Sequence, residues 1–349
     1  MATIRDVARL ANCSTATVSR FYNRKSISPD TERRVLAAID ALAFSPNVVA
    51  RNLKLKKSMI LGMVIPDITN AFFPEVVRGV EDVARANGYS LMLFNTMEDQ
   101  ELEAKSIEIL VSHQCDGIVL VKAERGRVAE RYRSGFAKLP LPIVYLDRAP
   151  DTLRDAVVLD NAAGARRAVE HLLRLGHRDI AIVLARGISV HIARLEGYKM
   201  ALRQFDLPVK PDYILESESE VADAYSSVTQ LLASPTRPTA IFATNARLTV
   251  GVMAALKSSG LRCPADVSVL GHDGFDWQRA FEPGLTIVDQ PAFDMGRKAA
   301  ELLLQRMTGE LDGPPQRIVA NAELIVRESC GVYRAQPESQ AERPAAVTR

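Results

Sequence analysis

The sequence predicts an α/β protein in which a small helical head precedes a core of two doubly wound parallel-sheet subdomains. Three observations lead to this prediction. Apolar residues recur at helical spacing through residues 3–44. From Met59 onward, short apolar runs alternate with helical segments, which is typical of parallel sheets with helices on both faces. The alternation occurs in two successive series, so we expect two α/β subdomains.

Residues 3–23 predict two short helices joined by a tight turn. Thr3 and Asp6 have nearly the spacing and chemistry of a capping box at the start of the first helix. Ser14 is placed to cap the second helix, which we expect to end near Asn23. The predicted buried positions are Ile4, Val7, Ala8 and Ala11 on the first helix and Val18 with Phe21 or Tyr22 on the second.

The second helix carries small and hydroxyl residues on its predicted outer face. Thr15, Ala16 and Thr17 lie in its first turn, and Arg20 follows further along. Small residues allow a helix to approach base pairs closely, and Arg is well suited to guanine O6 and N7. The second helix is therefore predicted to lie in a major groove, as the recognition helix of a helix-turn-helix.

A third helix is predicted after Ser28, with an apolar stripe of Val35, Ile39 and Leu42. Helical spacing alone would also fit a generic three-helix bundle. Charge favours a nucleic-acid-binding head, because residues 1–57 contain 11 Lys+Arg and 4 Asp+Glu, a net charge of +7. This leaves 33 of the chain's 44 Lys+Arg and 38 of its 42 Asp+Glu in the remainder, a net charge of −5. A basic head on an acidic body indicates contact with phosphates.

Several segments resemble the LacI/GalR family of bacterial transcription regulators: TIRDVARLANCSTATVSR, SPNVVARNLK and GMVIPDITNAFFPEVVRGVE. The motifs stand in the family's order, and the similarity runs from Thr3 to about Ser329. It implies a sequence-specific DNA-binding regulator that binds a palindromic operator as a homodimer, and a repressor of a carbohydrate or sugar-acid catabolic operon is favoured. It also implies a periplasmic-binding-protein-like core with a small-molecule effector in the cleft between its subdomains. The departures from the family pattern are Cys13, the Phe21-Tyr22 pair and Ala246.

The domain boundaries follow from these patterns. We predict a helix-turn-helix DNA-binding domain over 1–45, a hinge helix or linker over 46–58, an effector-binding and dimerisation core over 59–330, and a disordered tail over 331–349. Within the core we predict an N-terminal subdomain over about 59–160 plus 291–320 and a C-terminal subdomain over about 161–290 plus 321–330.

Residues 46–58 fit a plain interdomain linker when composition alone is considered, because helices of one or two turns are marginal in water. The family resemblance implies a hinge helix that folds when two copies pack together on the operator. In that interpretation Leu53 is inserted into the minor groove and Lys54 lies against phosphates. Thr15, Ala16 and Arg20 would contact bases. The full set of predicted DNA-binding residues is Ser14, Thr15, Ala16, Thr17, Arg20, Asn23, Leu53 and Lys54.

Several function classes lack support in the sequence. We find no GxGxxG at a helix start, no P-loop, no GxSxG and no HExxH, so we predict neither an enzyme nor a bound cofactor. We interpret the five scattered His residues as surface or supporting groups, not as catalytic groups or metal ligands. The four Cys fit neither metal-site nor disulfide spacing, and we expect reduced thiols. Because the sequence has neither a long apolar run nor a signal segment, we expect a cytoplasmic protein with no membrane contact.

Ligands of open α/β sheets bind beyond the carboxyl ends of the strands, so residues after each strand are candidate effector contacts. Arg194 matches a cleft arginine of the family, and its guanidinium suits vicinal hydroxyls or a carboxylate. Phe72 and Phe73 could stack on a sugar ring or base of the ligand, or they could pack at the start of a helix. Trp277 could cap the pocket by stacking, or it could pack between the subdomains. The predicted effector-binding residues are Asp67, Asn70, Phe72, Phe73, Arg148, Arg194, Asn245, Asp273, Trp277 and Gln290.

The departure at Ala246 bears on the choice of effector. The family usually has Asn-Asp where this chain has Asn245-Ala246, and Arg247 follows. Loss of a carboxylate and gain of a cation, with Arg148 and Arg194 nearby, predict a sugar acid or phosphorylated sugar in preference to a neutral sugar. The predicted effector class is thus a sugar, sugar acid or sugar phosphate. The sequence leaves open whether it acts as inducer or corepressor.

Two alternatives remain at this point. A periplasmic-type solute receptor would share the fold of the core, although the basic head and the lack of a signal segment argue against it. An activator or global regulator of the same family, acting with a protein corepressor, is not distinguished from a repressor by these residues.

Overall fold

The structure is a computed structural model that describes residues 2–22, 26–44, 57–126, 139, 141–150, 153–218, 220–274, 278, 280 and 282–333. The chain divides into two compact units, Met1–Ser58 and Met59–Arg349. The first unit contains the helical head, and the second contains two β-sheets with their helices. Among the described helices, none has the length and apolar character needed to span a bilayer.

The head consists of three helices, α1 Ile4–Leu10, α2 Thr15–Tyr22 and α3 Pro29–Ala41. Each is capped by a hydroxyl side chain, as predicted. Thr3 and Asp6 form a reciprocal capping box, in which the Thr3 N–H donates to Asp6 Oδ2 at 2.9 Å. Ser14 Oγ accepts the Thr17 N–H at 3.1 Å and so fixes the start of α2. Asn23, the predicted end of α2, lies outside the described residues.

A small apolar cluster holds the three helices together. Phe21 and Tyr22 both pack against it with ring centroids 5.4 Å apart, so both aromatic side chains contribute to the inward side of α2. Ile4 was predicted to be buried but is 37% exposed and is not a member of this cluster. The buried members are Val7, Ala8, Ala11, Val18, Val35 and Ala38.

The N-terminal subdomain of the core is a six-stranded parallel sheet with helices on both faces. Consecutive residues of its first strand, Met63 and Val64, belong to separate apolar clusters on the two faces, which explains its continuous apolar sequence. The strands are β1 Ile60–Ile65, β2 Ser90–Asn95, β3 Gly117–Leu120, β4 Ile143–Leu146, β5 Ala156–Leu159 and β11 Arg317–Ala320, in the order β11-β5-β4-β3-β1-β2. The described helices are α4 Phe72–Ala86, α5 Gln100–Ser112 and α10 Ala292–Thr308.

The C-terminal subdomain repeats this architecture. Its strands are β6 Ile180–Ala185, β7 Ile214–Ser217, β8 Ala240–Ala243, β9 Ser268–His272, β10 Thr286–Asp289 and β12 Glu323–Ile325, in the order β12-β10-β9-β8-β6-β7. Its helices are α6 Asn161–Arg174, α7 Ser189–Gln204, α8 Val221–Leu232 and α9 Ala246–Ser258. The two sheets confirm the predicted α/β class.

Two strands differ from the sequence-based expectation. β12 pairs with β10 in the antiparallel direction, whereas only parallel pairs were predicted. It enters the second sheet directly from β11 through a short connection, so no helix reverses its direction. β7 was not predicted, because it is a half-exposed strand at the sheet edge and lacks the buried apolar run that marks the other strands.

The chain passes between the two subdomains three times: after β5, after β10, and between β11 and β12. The charge of Asp273, which follows β9, acts on Asp147, which follows β4. The carboxyl ends of strands from both sheets therefore border one shared space, the inter-subdomain cleft.

The first residues of the predicted disordered tail are part of the core. The Gly331 N–H donates to Ser268 Oγ at 3.0 Å, and the Gly331 carbonyl lies 3.1 Å from His177 Nε2. The Tyr333 N–H donates to the Leu175 carbonyl at 2.8 Å. These bonds extend the core to residue 333, and the rest of the predicted tail, 334–349, lies outside the described residues.

The four cysteines are free thiols. Burial raises the pKa of Cys115 to about 11, that of Cys263 to about 12 and that of Cys330 to about 11. A thiol with such a pKa stays protonated at neutral pH and is a poor nucleophile.

Candidate functional site

α2 presents most of the side chains that the sequence suggests for DNA contact. Val18 holds the opposite side of the helix in the core of the head. Thr17 is half-buried, and its hydroxyl lies 2.9 Å from Ser14 Oγ, so it supports the cap of the helix. Asn23, Leu53 and Lys54 lie outside the described residues. The exposed members of the set are Ser14, Thr15, Ala16 and Arg20.

Two buried aspartates border the inter-subdomain cleft, one from each sheet. Asp147 and Asp273 directly follow β4 and β9, and their φ angles are 62° and 72°. Non-glycine residues seldom adopt positive φ, and such strained positions cluster at functional sites. The charges of Arg148, Arg194 and Asp273 all act on Asp147. The structure thus brings together three predicted site residues around a fourth group, Asp147.

Asp273 is held by two neighbours. Its Oδ1 lies 2.9 Å from His272 Nδ1 and also accepts a hydrogen bond from Gln290 Nε2. Burial on its own would raise the pKa of Asp273, but the interactions with His272, Arg194 and Gln290 lower it to about 2. Asp273 is therefore ionised at neutral pH, and its carboxylate orients the amide of Gln290.

Arg194 reaches from α7 to the ends of two strands. Its Nε donates to Asn161 Oδ1 at 2.8 Å, and its Nη1 donates to the Thr244 carbonyl at 2.6 Å. Asn161 lies just beyond β5, and Thr244 directly follows β8. The guanidinium is 3% exposed and is fixed by these acceptors.

Arg148 forms an ion-pair network on the N-terminal side of the cleft. It donates to Glu98 Oε2 at 2.8 Å and to the Lys122 carbonyl at 3.2 Å, and it lies 3.7 Å from Asp147 Oδ2. Burial raises the pKa of Asp147, although Arg148 and Arg194 oppose this shift. The aspartate is therefore easier to protonate than an exposed one.

Asn245 serves as a helix cap. Its Oδ1 accepts the Leu248 N–H at 2.8 Å, and the residue is 2% exposed. Ala246 is buried in a small apolar cluster with Leu285 and Ile287. The position at which the family usually has a carboxylate is thus apolar in this chain.

The predicted preference for an anionic ligand concerns three arginines that have protein partners. It depended on Arg148, Arg194 and Arg247 as available cations. Arg247 pairs with Glu220 and lies 4.0 Å from Asp67, and the other two guanidiniums are held by the acceptors described above. Each of the three cations thus has protein acceptors, but the buried Nε of Arg148 has no hydrogen-bond partner among the described residues, and the preference stays a prediction.

Phe72 and Phe73 at the start of α4 have different roles. Their rings pack edge to face with centroids 5.2 Å apart. Both rings belong to the apolar core of the subdomain, with Phe72 4% and Phe73 2% exposed. Phe72 lines a cavity of about 570 Å³ together with Asp273 and Gln290. Phe72 thus packs in the core and also borders the cavity, and its predicted contact with an effector stays a prediction.

Asp67 and Asn70 stabilise the loop between β1 and α4. Asp67 Oδ1 accepts the Thr69 N–H at 2.9 Å, and Asn70 Oδ1 accepts the Phe72 N–H at 3.2 Å. Both acceptors are used within the loop. Trp277, the remaining predicted effector contact, lies outside the described residues.

Two histidines that were not predicted as site residues lie in the cleft, His191 and His272. His191 Nδ1 lies 2.8 Å from Thr244 Oγ1, and His272 contacts Asp273. Burial and the positive charge of Arg194 lower the pKa of His191 well below its ordinary value and that of His272 to about 4. Both rings are neutral at pH 7 and act as supporting groups. For His272 the available signal was its position at the end of a strand, directly before Asp273.

Several buried oxygen atoms of the cleft have no hydrogen-bond partner among the described residues. They are Asp147 Oδ1, Gln278 Oε1 and Gln290 Oε1. A buried acceptor is costly unless a donor satisfies it, so these three oxygens suit hydroxyl or amine hydrogens of a ligand. The buried Nε of Arg148 also lacks a partner among the described residues, and it suits a ligand acceptor. Within the described ranges, no cluster of three His, Cys, Asp or Glu side chains has the arrangement of a metal site.

Two family models match the chain. Residues 3–47 match the model described as bacterial regulatory proteins, lacI family. Residues 169–330 match the model described as a periplasmic binding protein-like domain.

Known proteins match over nearly the whole chain. The HTH-type transcriptional repressor PurR of Haemophilus influenzae (strain PittEE) is 34% identical over 94% of this chain and 98% of its own length. The structure of the lac repressor dimer bound to operator and the anti-inducer ONPF has a TM-score of 0.81 and 26% identity, covering 95% of this chain and 99% of that one. The transcriptional regulator CelR–cellobiose complex has a TM-score of 0.71 and 28% identity, covering 94% and 100%. The exposed helix of a basic head and the cleft between two α/β subdomains are thus shared with gene regulators, and this chain belongs to the LacI family of bacterial DNA-binding transcriptional regulators.

Proposed function

We propose that this protein represses transcription by binding a palindromic operator as a homodimer, under control of a small molecule in the inter-subdomain cleft. The observation that carries the proposal is the exposed face of α2, with Thr15, Ala16 and Arg20 on a capped helix of a head whose net charge is +7. The similarity to an operator-bound lac repressor dimer supports the dimeric arrangement. Since the DNA of a bacterium lies in the cytoplasm, the proposal places the protein there.

Arg20 is the side chain that we expect to dominate base recognition. A guanidinium pairs in bidentate fashion with guanine O6 and N7, and one such pair discriminates by about 1–3 kcal/mol. Thr15 and Ala16 would contact neighbouring bases. Ser14, Asn23 and Lys54 would contact phosphates, which position the head without selecting sequence. Leu53 is proposed as the minor-groove wedge at the operator centre.

The proposed effector is a sugar or sugar derivative. The unsatisfied oxygens of Asp147, Gln278 and Gln290 suit hydroxyl donors, and the ring of Phe72 offers an apolar face. Because Arg148, Arg194 and Arg247 already have protein partners, we favour a neutral sugar over a sugar acid or sugar phosphate. The similarity to CelR, whose structure is a complex with cellobiose, supports a sugar as the ligand class.

Fluorescence anisotropy on a pool of palindromic duplexes, measured across a salt series, tests the DNA part of the proposal. We expect one duplex to bind much more tightly than the rest. Arg20→Ala should reduce the preference for that duplex over random DNA by roughly 10- to 100-fold, because it removes a bidentate base contact. Arg33→Ala is the matched control, since Arg33 is an exposed arginine of α3 in the same head. Equal loss of preference in both variants would contradict base reading by α2.

Isothermal titration with neutral sugars and the matching sugar acids tests the effector part. We expect a neutral sugar to bind the core and to change the affinity for the selected duplex. Effector and operator must affect each other's affinity by the same factor, so DNA should change sugar affinity equally. Tighter binding of the acids would contradict the preference for neutral ligands. Binding that leaves DNA affinity unchanged would contradict regulation and favour a receptor-like role for the core.

A further inference from the structure

Arg247 joins the two walls of the inter-subdomain cleft. It is the second residue of α9 in the C-terminal subdomain. Its Nη1 donates to Thr69 Oγ1 on the N-terminal subdomain. The same Nη1 lies 4.0 Å from Asp67 Oδ2, which is also on the N-terminal subdomain. Its Nη2 pairs with Glu220, the N-cap residue of α8 on its own wall. The side chain is 21% exposed, so these contacts are partly shielded from water.

The acceptor on the opposite wall is fixed in position. Asp67 Oδ1 accepts both the Thr69 N–H at 2.9 Å and the Thr69 hydroxyl at 2.6 Å. Because that hydroxyl hydrogen is used by Asp67, the oxygen of Thr69 is left to accept from Arg247. The loop therefore presents a preorganised hydroxyl oxygen and a carboxylate to Nη1 of the guanidinium.

Other polar contacts cross the cleft at the loop that follows β3. Glu124 Oε2 accepts the Ser189 N–H at 2.7 Å, and Arg125 lies 3.2 Å from Glu218. Ser189 is the first residue of α7, so its N–H has no acceptor within the helix. Its protection from solvent therefore depends on the opposite wall and reports whether the cleft is closed.

We propose that Arg247 is a positioning residue that latches the inter-subdomain cleft, holding the walls together and limiting how often the cleft opens. An Arg suits this role because its planar fork donates to two walls at once, whereas the single ammonium of a Lys cannot reproduce that geometry. The consequence for an effector rests on the proposed function: a ligand enters and leaves only when the latch releases. The latch itself does not depend on any ligand.

Hydrogen exchange tests the latch in the full-length protein, without DNA and without added small molecules. The readout is exchange at the Ser189 amide, resolved by mass spectrometry with overlapping peptides. In Arg247→Gln we expect this amide to exchange roughly fivefold faster, because a partly shielded ion-pair contact biases opening by about that factor. Amides of the central strand β6 should be unchanged. Arg262→Gln is the matched control, since Arg262 pairs with Asp266 within one subdomain, and it should leave Ser189 unchanged.

A second pair of variants changes the residue of the N-terminal subdomain that accepts from Arg247. Thr69→Val removes the oxygen that accepts from Arg247, and Thr69→Ser keeps it. We expect Thr69→Val to speed exchange at Ser189 and Thr69→Ser to match the wild type. If Arg247→Gln also speeds exchange in β6, the substitution has disturbed folding. The comparison of Thr69→Val with Thr69→Ser then tests the latch in its place. Unchanged exchange at Ser189 in Thr69→Val would overturn the latch. This outcome is independent of the effector titrations, so the latch and the proposed function can fail separately.

Discussion

Glu103 shows how one buried carboxyl group responds to its surroundings. It lies on α5, is 6% exposed, and its Oε2 accepts the Ala123 N–H at 2.6 Å. Burial raises its pKa from 4.5 to about 7, despite the opposing effects of the Ala123 bond and Lys122. The group therefore titrates near neutral pH, at the base of the loop that carries the cross-cleft residues Glu124 and Arg125.

Glu103→Gln should remove a pH dependence of stability. The folded state holds the Glu103 proton more tightly than the unfolded chain does, so the stabilisation is complete below about pH 4.5 and is lost as the pH rises through about 7. Between pH 5 and pH 8, the free energy of unfolding of the wild type should fall by about 2 kcal/mol relative to the variant. Urea denaturation at the two pH values measures this. Glu101→Gln, at an exposed position of the same helix, is the control and should keep the wild-type pH dependence. Parallel pH profiles for Glu103→Gln and the wild type would refute the assignment.

At the scale of elements, glycines set how closely pairs of helices approach. A Cβ on Gly79 of α4 would overlap the Phe293 carbonyl of α10, and a Cβ on Gly296 of α10 would overlap the Val76 carbonyl of α4. The C-terminal subdomain has the same kind of contact, since a Cβ on Gly197 of α7 would overlap a backbone carbonyl of α6. These contacts involve backbone atoms, which cannot move aside as a flexible side chain can. Each subdomain thus depends on glycine at a helix crossing.

Gly296→Ala should destabilise the protein by about 2 kcal/mol or more, because the methyl group forces α4 and α10 apart. The matched control is Gly164→Ala in α6, where a Cβ would meet its nearest atoms at an ordinary 3.5 Å. That variant should be neutral or more stable by up to about 1 kcal/mol, owing to the higher helix propensity of Ala. Urea unfolding followed by circular dichroism distinguishes the two. A Gly296→Ala variant as stable as Gly164→Ala would show that the helices have room to separate.

At the scale of the whole molecule, the uneven distribution of charge makes DNA binding by the head and ligand binding in the cleft respond differently to salt. The head carries a net charge of +7, and the rest of the chain carries −5. Binding of DNA by the head releases counterions from the phosphates, so its affinity depends on salt. The cleft is different, because its arginines are buried or paired with protein carboxylates and carbonyls. Salt screens such pairs much less than it screens exposed charges.

Salt should therefore weaken the two binding reactions unequally. Between 50 and 200 mM salt we expect affinity for the selected duplex to fall by about a thousandfold, as for proteins that make six or more phosphate contacts. Affinity for a neutral sugar should change by less than about twofold, because no net charge is neutralised on binding. Anisotropy and calorimetry over the same salt series measure both quantities. A shallow salt dependence for DNA would argue against phosphate contact by the head.

The sequence by itself determined the fold class, the caps of the head helices and the charge of the head. These features depend on local patterns: periodicity at 3.6 residues, a hydroxyl before a helix, and charges that are adjacent along the chain. The sequence also indicated that cleft residues follow strand ends, and Asp273 and Gln290 meet there with Asp147 and Arg194. It missed β7 because a half-exposed edge strand has no distinctive pattern.

Only the tertiary structure decided which of these side chains are engaged within the protein. Arg148, Arg194 and Arg247 look alike in the sequence, yet each is held by partners 26 to 178 positions away. The same holds for His191, whose neutral state follows from burial beside Arg194 and Thr244. Sequence patterns record local spacing, whereas the charge available to a ligand depends on long-range pairing and desolvation. For that reason the sequence identified the cleft, and the packing of the two subdomains determined its chemistry.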